Sequence, residues 1–191
     1  TAITYASNAR DRRHMDVYVM DMATRTARRV LEGEGWREPV AFLPGGGALV
    51  VREAARAMTD QDLLRLDLAT GEVVPLLPRG GPARYPAVRA RKDGSGLVLA
   101  TDRRRDFLGL AVLDLAGGGL EWVSAPEGCD VEAIAVAPDQ RRIAYTVNEA
   151  GWSRLRVHDL DTRVETAIEG LPEGTIETVA WSPDGARLAF G

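Results

Sequence analysis

The chain has 191 residues, 28 acidic against 24 basic side chains and a net charge of −4, and 45% of its residues are hydrophobic. That composition belongs to a folded globular protein and excludes a disordered tail. Both signs are mixed along the whole chain, so there is no basic field for a phosphate backbone and nucleic acid is not expected as a partner.

Cys129 is the single cysteine. It allows neither an internal disulfide nor a thiolate metal cluster, and it reads as a small buried hydrophobe. No apolar run approaches the roughly 18 residues a membrane span needs, so no membrane partner is expected. Thr1-Ala2-Ile3-Thr4-Tyr5 lacks the regions of a signal peptide. A cytoplasmic location is the expectation, with an upstream signal left open.

Residues 1–7 alternate as a strand and end in the polar pair Ser7-Asn8. After a charged loop with Arg12-Arg13-His14, a second alternating run ends at Asp21-Met22. The same ending recurs at Asp67-Leu68, Asp114-Leu115 and Asp159-Leu160, at intervals of 46, 47 and 45 residues. A second anchor keeps the same period: Leu43-Pro44-Gly45-Gly46, Arg91-Lys92-Asp93-Gly94, Ala137-Pro138-Asp139-Gln140 and Ser182-Pro183-Asp184-Gly185. Such a repeat marks one supersecondary unit used several times.

Each unit reads as four short strands by period-2 alternation. In the third complete unit these are Ala133–Ala137, Arg142–Val147, Leu155–Leu160 and Val164–Ile168. In Ser182-Pro183-Asp184-Gly185, Pro presets φ, Asp suits the next turn position and Gly takes φ > 0, which predicts a tight reversal between strands. Gly71 sits where the hairpin after Asp67 needs a left-handed residue. The matching stretch Asp161-Thr162-Arg163 lacks Gly.

A four-stranded sheet this small cannot bury both faces alone, so neighbouring units must stack, as the blades of a β-propeller do. The fold expected is all-β: a propeller segment of about four four-stranded antiparallel blades within a larger, six- to eight-bladed ring. The organisation predicted is one segment over 1–191, with a partial blade at 1–35, blades at 36–82, 83–130 and 131–175, and a partial blade at 176–191. The chain enters and leaves at the second strand of a blade.

The motifs Tyr5-Ala6-Ser7-Asn8, Asp16-Val17-Tyr18-Val19-Met20-Asp21, Asp130-Val131-Glu132-Ala133, Val147-Asn148-Glu149 and Ala180-Trp181-Ser182-Pro183-Asp184-Gly185 resemble the propeller domain of the prolyl oligopeptidase family of serine peptidases. The resemblance is to its acylaminoacyl-peptidase and dipeptidyl-aminopeptidase-like bacterial branch. The Ser-Pro-Asp-Gly turn and the Asp-Leu hairpin also occur throughout TolB-like propellers. The resemblance implies a ring of about seven blades that caps an α/β-hydrolase domain of the same parent chain and restricts peptide access to it. The alternative it leaves open is a TolB-like interaction module with no enzyme attached.

The residues of this chain point to no catalytic, cofactor or metal site. Asp93-Gly94-Ser95-Gly96 lacks the first Gly of a nucleophile elbow and falls in a strand-to-strand turn. His158 and Asp159 are adjacent in a strand, so their side chains point to opposite faces, and His14 lies far away in a charged loop. Gly45-Gly46-Gly47 and Gly117-Gly118-Gly119 precede strands and read as hairpin tips, not phosphate loops.

Arg12-Arg13-His14, Asp60-Gln61-Asp62 and Arg103-Arg104-Arg105-Asp106 hold the same inter-strand position in successive blades. They read as solvated loops, or else as loops that border the ring mouth or meet a partner domain. Trp36, Trp122, Trp152 and Trp181 are expected to pack between blades, with Trp181 buried against the next one.

Overall fold

The computed structural model describes residues 1–54 and 57–191, and every regular element in it is a β-strand. The strands form five antiparallel sheets in which chain neighbours pair in sequence order. The chain divides into two compact units, Thr1–Ala83 and Arg84–Gly191.

The first unit holds two sheets. One is β1 (Ala2–Ser7), β2 (Asp16–Asp21) and β3 (Ala27–Leu31); the other is β4 (Trp36–Phe42), β5 (Ala48–Ala57), β6 (Asp60–Asp67) and β7 (Val73–Pro75). Val17 and Val19 of β2 pack against Leu49, Val51, Leu64 and Leu66 of the next sheet. The inward half of each alternating strand thus meets the neighbouring blade's face, the arrangement that stacked repeats require.

The second unit holds three sheets. The first is β8 (Ala87–Ala90), β9 (Gly96–Thr101), β10 (Gly109–Asp114) and β11 (Leu120–Ser124). The second is β12 (Asp130–Val136), β13 (Arg142–Glu149), β14 (Trp152–Asp159) and β15 (Val164–Ala167). A two-stranded sheet of β16 (Val179–Trp181) and β17 (Leu188–Phe190) follows. Its core joins Val98, Ala100 and Leu110 to Val131, Ile134, Ile143, Tyr145 and Val147, with half-buried Cys129 at the margin. Every residue of β9 is buried.

Both sequence anchors are turns held by an aspartate. After each third strand the carboxylate folds back on the amides two and three residues ahead: Asp21 on Ala23 and Thr24, Asp67 on Ala69 and Thr70, Asp114 on Ala116 and Gly117, Asp159 on Asp161 and Thr162. These amide hydrogen bonds lower the carboxyl pKa of Asp21, Asp67 and Asp159. The residue closing the turn is left-handed in every blade: Arg25, Gly71, Gly118 and Arg163, with φ of 57°, 77°, 67° and 58°.

In the other anchor the last turn residue donates its amide to the first residue's carbonyl, as Gly185 does to Ser182 and Gln140 to Ala137. The Asp before it accepts the amide two residues on, as Asp93 does from Ser95 and Asp184 from Ala186.

The ends of β1 and β9 follow the same economy: Ser7 Oγ accepts from Ala9 N, and Thr101 Oγ1 from Arg103 N. Backbone bonds then tie the loop between the second and third strands of one blade to the entry of the next. They run from Met15 N to Gly35 O and from Gln61 N to Ala83 O in the first unit, and from Val131 N to Leu108 O and from Ser153 N to Gly174 O in the second.

Candidate functional site

In the second unit the first strands β8, β12 and β16 stand side by side, which makes them the inner edges of their blades. At their upstream ends lies an open cavity of about 440 Å³, bordered by Pro86, Leu108, Ala133 and Ile176 with Glu132, Asn148 and Glu177. Pro86, Glu132 and Glu177 occupy one position of the repeat, eight residues before Gly94, Gln140 and Gly185. The repeat therefore delivers two carboxylates from successive blades to one mouth.

Asn148 Nδ2 donates to Glu132 Oε1 at 3.0 Å, and Asn148 Oδ1 accepts from Gly151 N, so this carboxylate is oriented by its own blade. Ile176 and Leu108 are fixed from beneath: Ser153 Oγ accepts from Ile176 N and Asp130 Oδ1 from Leu108 N. Asp130 and Glu132 of the Asp-Val-Glu-Ala motif thus have distinct duties, one in blade junction and one at the mouth.

The charged loops are more structured than a solvated run requires. Arg105 turns inward, donates to the carbonyls of Ala125 and Pro126 and lies 5.2 Å from the Trp122 ring centroid; Arg104 is left exposed. His14 Nδ1 accepts from Gly35 N, and Asp60 and Asp62 meet Arg79 at 3.3 and 3.9 Å. These side chains reach the next blade's entry through contacts the sequence does not display.

The tryptophans differ from expectation in two places. Trp152 is 41% exposed, because it opens β14 beyond the covered part of the sheet. Trp181 is half-buried, not enclosed, and it leans on the preceding blade: its Nε1 donates to Ala135 O at 3.2 Å and the Arg142 guanidinium lies 4.8 Å from its ring centroid.

Ser95 donates its hydroxyl to Asp93 at 2.7 Å within its turn. His158 is buried on β14, while the Asp159 carboxylate is taken up by its own turn and by Arg141. Among the described residues no group of three or more His, Cys, Asp or Glu is placed to hold a metal ion. The strongest polar cluster is Tyr145, Glu165 and Arg156: the Tyr145 hydroxyl donates to Glu165, which also accepts from Arg156 Nη1 at 2.8 Å. Burial first, and then the adjacent Glu165, push the Tyr145 phenol up, so it stays a neutral donor that locks three strands of one blade.

No protein-family model matches the chain, and no curated protein matches it. Solved structures do. The chain is similar to TolB from Acinetobacter baumannii, at 19% identity and a TM-score of 0.70 over 91% of this chain and 42% of that one. It is similar to puromycin hydrolase at 17% identity and a TM-score of 0.72, covering 92% of this chain and 29% of that one. A prolyl endopeptidase matches at 13% identity and a TM-score of 0.70, covering 96% and 28%. The chain therefore spans less than half the length of each of these proteins. At these identities the likeness shows the fold: the sheets are the blades of a β-propeller of the kind found in TolB and in these hydrolytic enzymes.

Proposed function

We propose that this chain is the non-catalytic propeller region of a cytoplasmic serine peptidase of the prolyl oligopeptidase type, which admits peptides to a hydrolase domain by size. The observation that carries the reading is the ordered set of blade motifs over the whole chain, from Tyr5-Ala6-Ser7-Asn8 to Trp181-Ser182-Pro183-Asp184-Gly185. The presence of peptidases among the similar folds supports it.

In this reading the chain's residues supply a rigid mouth and no reacting group. Glu132 and Glu177 border the inner edges of two blades, where carboxylates favour the ammonium end of an entering peptide over its carboxylate end. Exclusion of folded proteins is the role a narrow ring would have, and within each unit backbone hydrogen bonds tie one blade to the entry of the next.

The likeness to TolB supports a second reading, a protein-binding propeller without an enzyme. Labelling of the native protein with a fluorophosphonate probe separates the two. A covalent adduct on a serine in a Gly-x-Ser-x-Gly segment of the same polypeptide is expected for a peptidase. Its absence in protein that binds other proteins through the propeller would establish the TolB-like role instead.

A further inference from the structure

The repeat provides an internal control for unusual residues, because each blade position is filled several times. The position before the turn aspartate is Met20, Leu66, Leu113 and His158; Leu66 and Leu113 are fully buried, and His158 is 7% exposed. The first residue of the Pro-Asp-Gly-type turn is Leu43, Ala137 or Ser182 in three blades and Arg91 in the fourth. Eight residues after the turn aspartate stand Arg29, Pro75 and Ala167, against Trp122. The three departures, Arg91, Trp122 and His158, line one cavity of about 400 Å³ between β10–β11 and the β14–β15 hairpin.

The fold does not need a histidine where Leu serves, and it does not satisfy this one. His158 Nδ1 is enclosed without a hydrogen-bond partner, and so is Arg91 Nε. A buried polar atom left unpaired is costly, and such departures from local consistency concentrate at functional sites. With Nδ1 enclosed, Nε2 is the ring nitrogen that a ligand in the cavity can meet, and a hydrogen on it would make it a donor there.

The rim carries Arg163 and Glu121, which pair at 3.1 Å with 77% and 69% of their side-chain surface exposed, together with Asp161. A pair so exposed contributes little and is readily opened. We propose that this cavity binds a small zwitterion with an apolar side chain, an amino acid or a dipeptide. Its carboxylate meets Arg163 and His158, its ammonium meets Glu121 or Asp161, and its side chain lies along Trp122 and Leu160. Both signs of charge in the lining favour a ligand that carries both, and the volume lies in the range of small-molecule sites. The site is at the outer strands, apart from the mouth, and holds whichever class of propeller this is.

The test is titration of the 191-residue chain, observed by NMR through the Trp122 indole and the His158 ring, with leucyl-leucine and with free leucine. N-acetyl-leucyl-leucine, which lacks the ammonium, and leucyl-leucine amide, which lacks the carboxylate, are the controls. Saturable shifts are expected, at least about tenfold weaker with either blocked compound and in His158→Leu. Saturation by the dipeptide alone assigns a peptide, and saturation by both assigns the amino acid as sufficient.

The Leu variant carries the residue two other blades already use, so its melting temperature should equal or exceed that of the parent. This separates loss of binding from loss of fold; Arg163→Gln serves if it does not fold. Absence of saturable shifts up to about 10 mM, or undiminished binding in His158→Leu, overturns the proposal.

Discussion

The indole Nε1–H of Trp181 donates to the carbonyl of Ala135, 3.2 Å away in the preceding blade, while Arg142 of that blade covers the ring. One side chain therefore carries a hydrogen bond and a cation–π contact across a blade junction. Trp181→Phe keeps an aromatic face for Arg142 and removes the donor, and should cost about 1 kcal/mol. Trp181→Ala removes both contacts and should cost about 2–3 kcal/mol, below the range for a fully enclosed Trp. Urea unfolding of the two variants measures both; equal losses would mean that the hydrogen bond carries the whole of the Trp181 contribution.

Gly96 opens β9 beneath Asp114 of β10, and a Cβ placed there would stand 2.3 Å from the Leu113 carbonyl oxygen. Backbone cannot step aside as a side chain can. Gly96→Ala should destabilise by about 3 kcal/mol through overpacking. Gly118, at φ 67° with open space where a Cβ would stand, provides the contrast. Gly118→Ala meets only the left-handed backbone penalty of about 1 kcal/mol. Thermal unfolding in which Gly118→Ala is the worse of the two would contradict the steric account.

The strands and both turn types were legible in the sequence because their causes are local. An aspartate reaches amides two and three residues ahead, and a Pro-Asp-Gly run sets its own dihedral angles. The β12 start at Asp130, three residues ahead of the expected Ala133, was not legible: Asp130 is needed by Leu108 N across the blade junction. Arg105 and Trp181 were misjudged for the same reason, since alternation identifies the inward face of a strand but not which neighbour receives it. Trp152 sits where β14 runs past its cover, and strand periodicity holds no information on that overhang. The pleat accounts for His158 and Asp159 pointing apart, but the cavity around His158 is formed by two blades and has no linear signature.

Arg163 closes its hairpin at φ 58°, where other blades place Gly71 and Gly118. Its ion pair with Glu121 is exposed on both sides and worth little. Arg163→Gly should therefore stabilise, by up to about 1 kcal/mol, as backbone strain is relieved against a small gain in unfolded-state entropy.

Gln140 holds the matching place in the other turn at φ 61°, but its side chain accepts from Lys92 N at 2.6 Å and donates to Ala137 O at 2.9 Å. Gln140→Gly relieves the same strain and breaks a blade-to-blade link, so it should be neutral or destabilising. A gain for Arg163→Gly and no gain for Gln140→Gly in chemical denaturation are the expected result; a loss in both would show that left-handed Arg is unstrained here.

Asp16 begins β2 with its carboxylate fully enclosed, and Arg10 grips it with two hydrogen bonds, Nε to Oδ2 at 2.7 Å and Nη2 to Oδ1 at 3.0 Å. The same Arg10 donates to Gly33 O, so the pair closes the loop that leads out of the first sheet. The hydrogen bond from Arg10 outweighs burial and holds the Asp16 carboxyl below its usual range.

A carboxyl whose folded pKa lies below its unfolded one stabilises fully above the unfolded value, near 3.8. That stabilisation fades as pH falls through the folded value. Asp16→Asn should lower the melting temperature at pH 7, and its deficit against the parent should shrink steadily below about pH 4. Melting curves of both proteins from pH 7 to pH 2.5 test this. A deficit that is constant with pH would assign the loss to altered packing and not to the charge on Asp16.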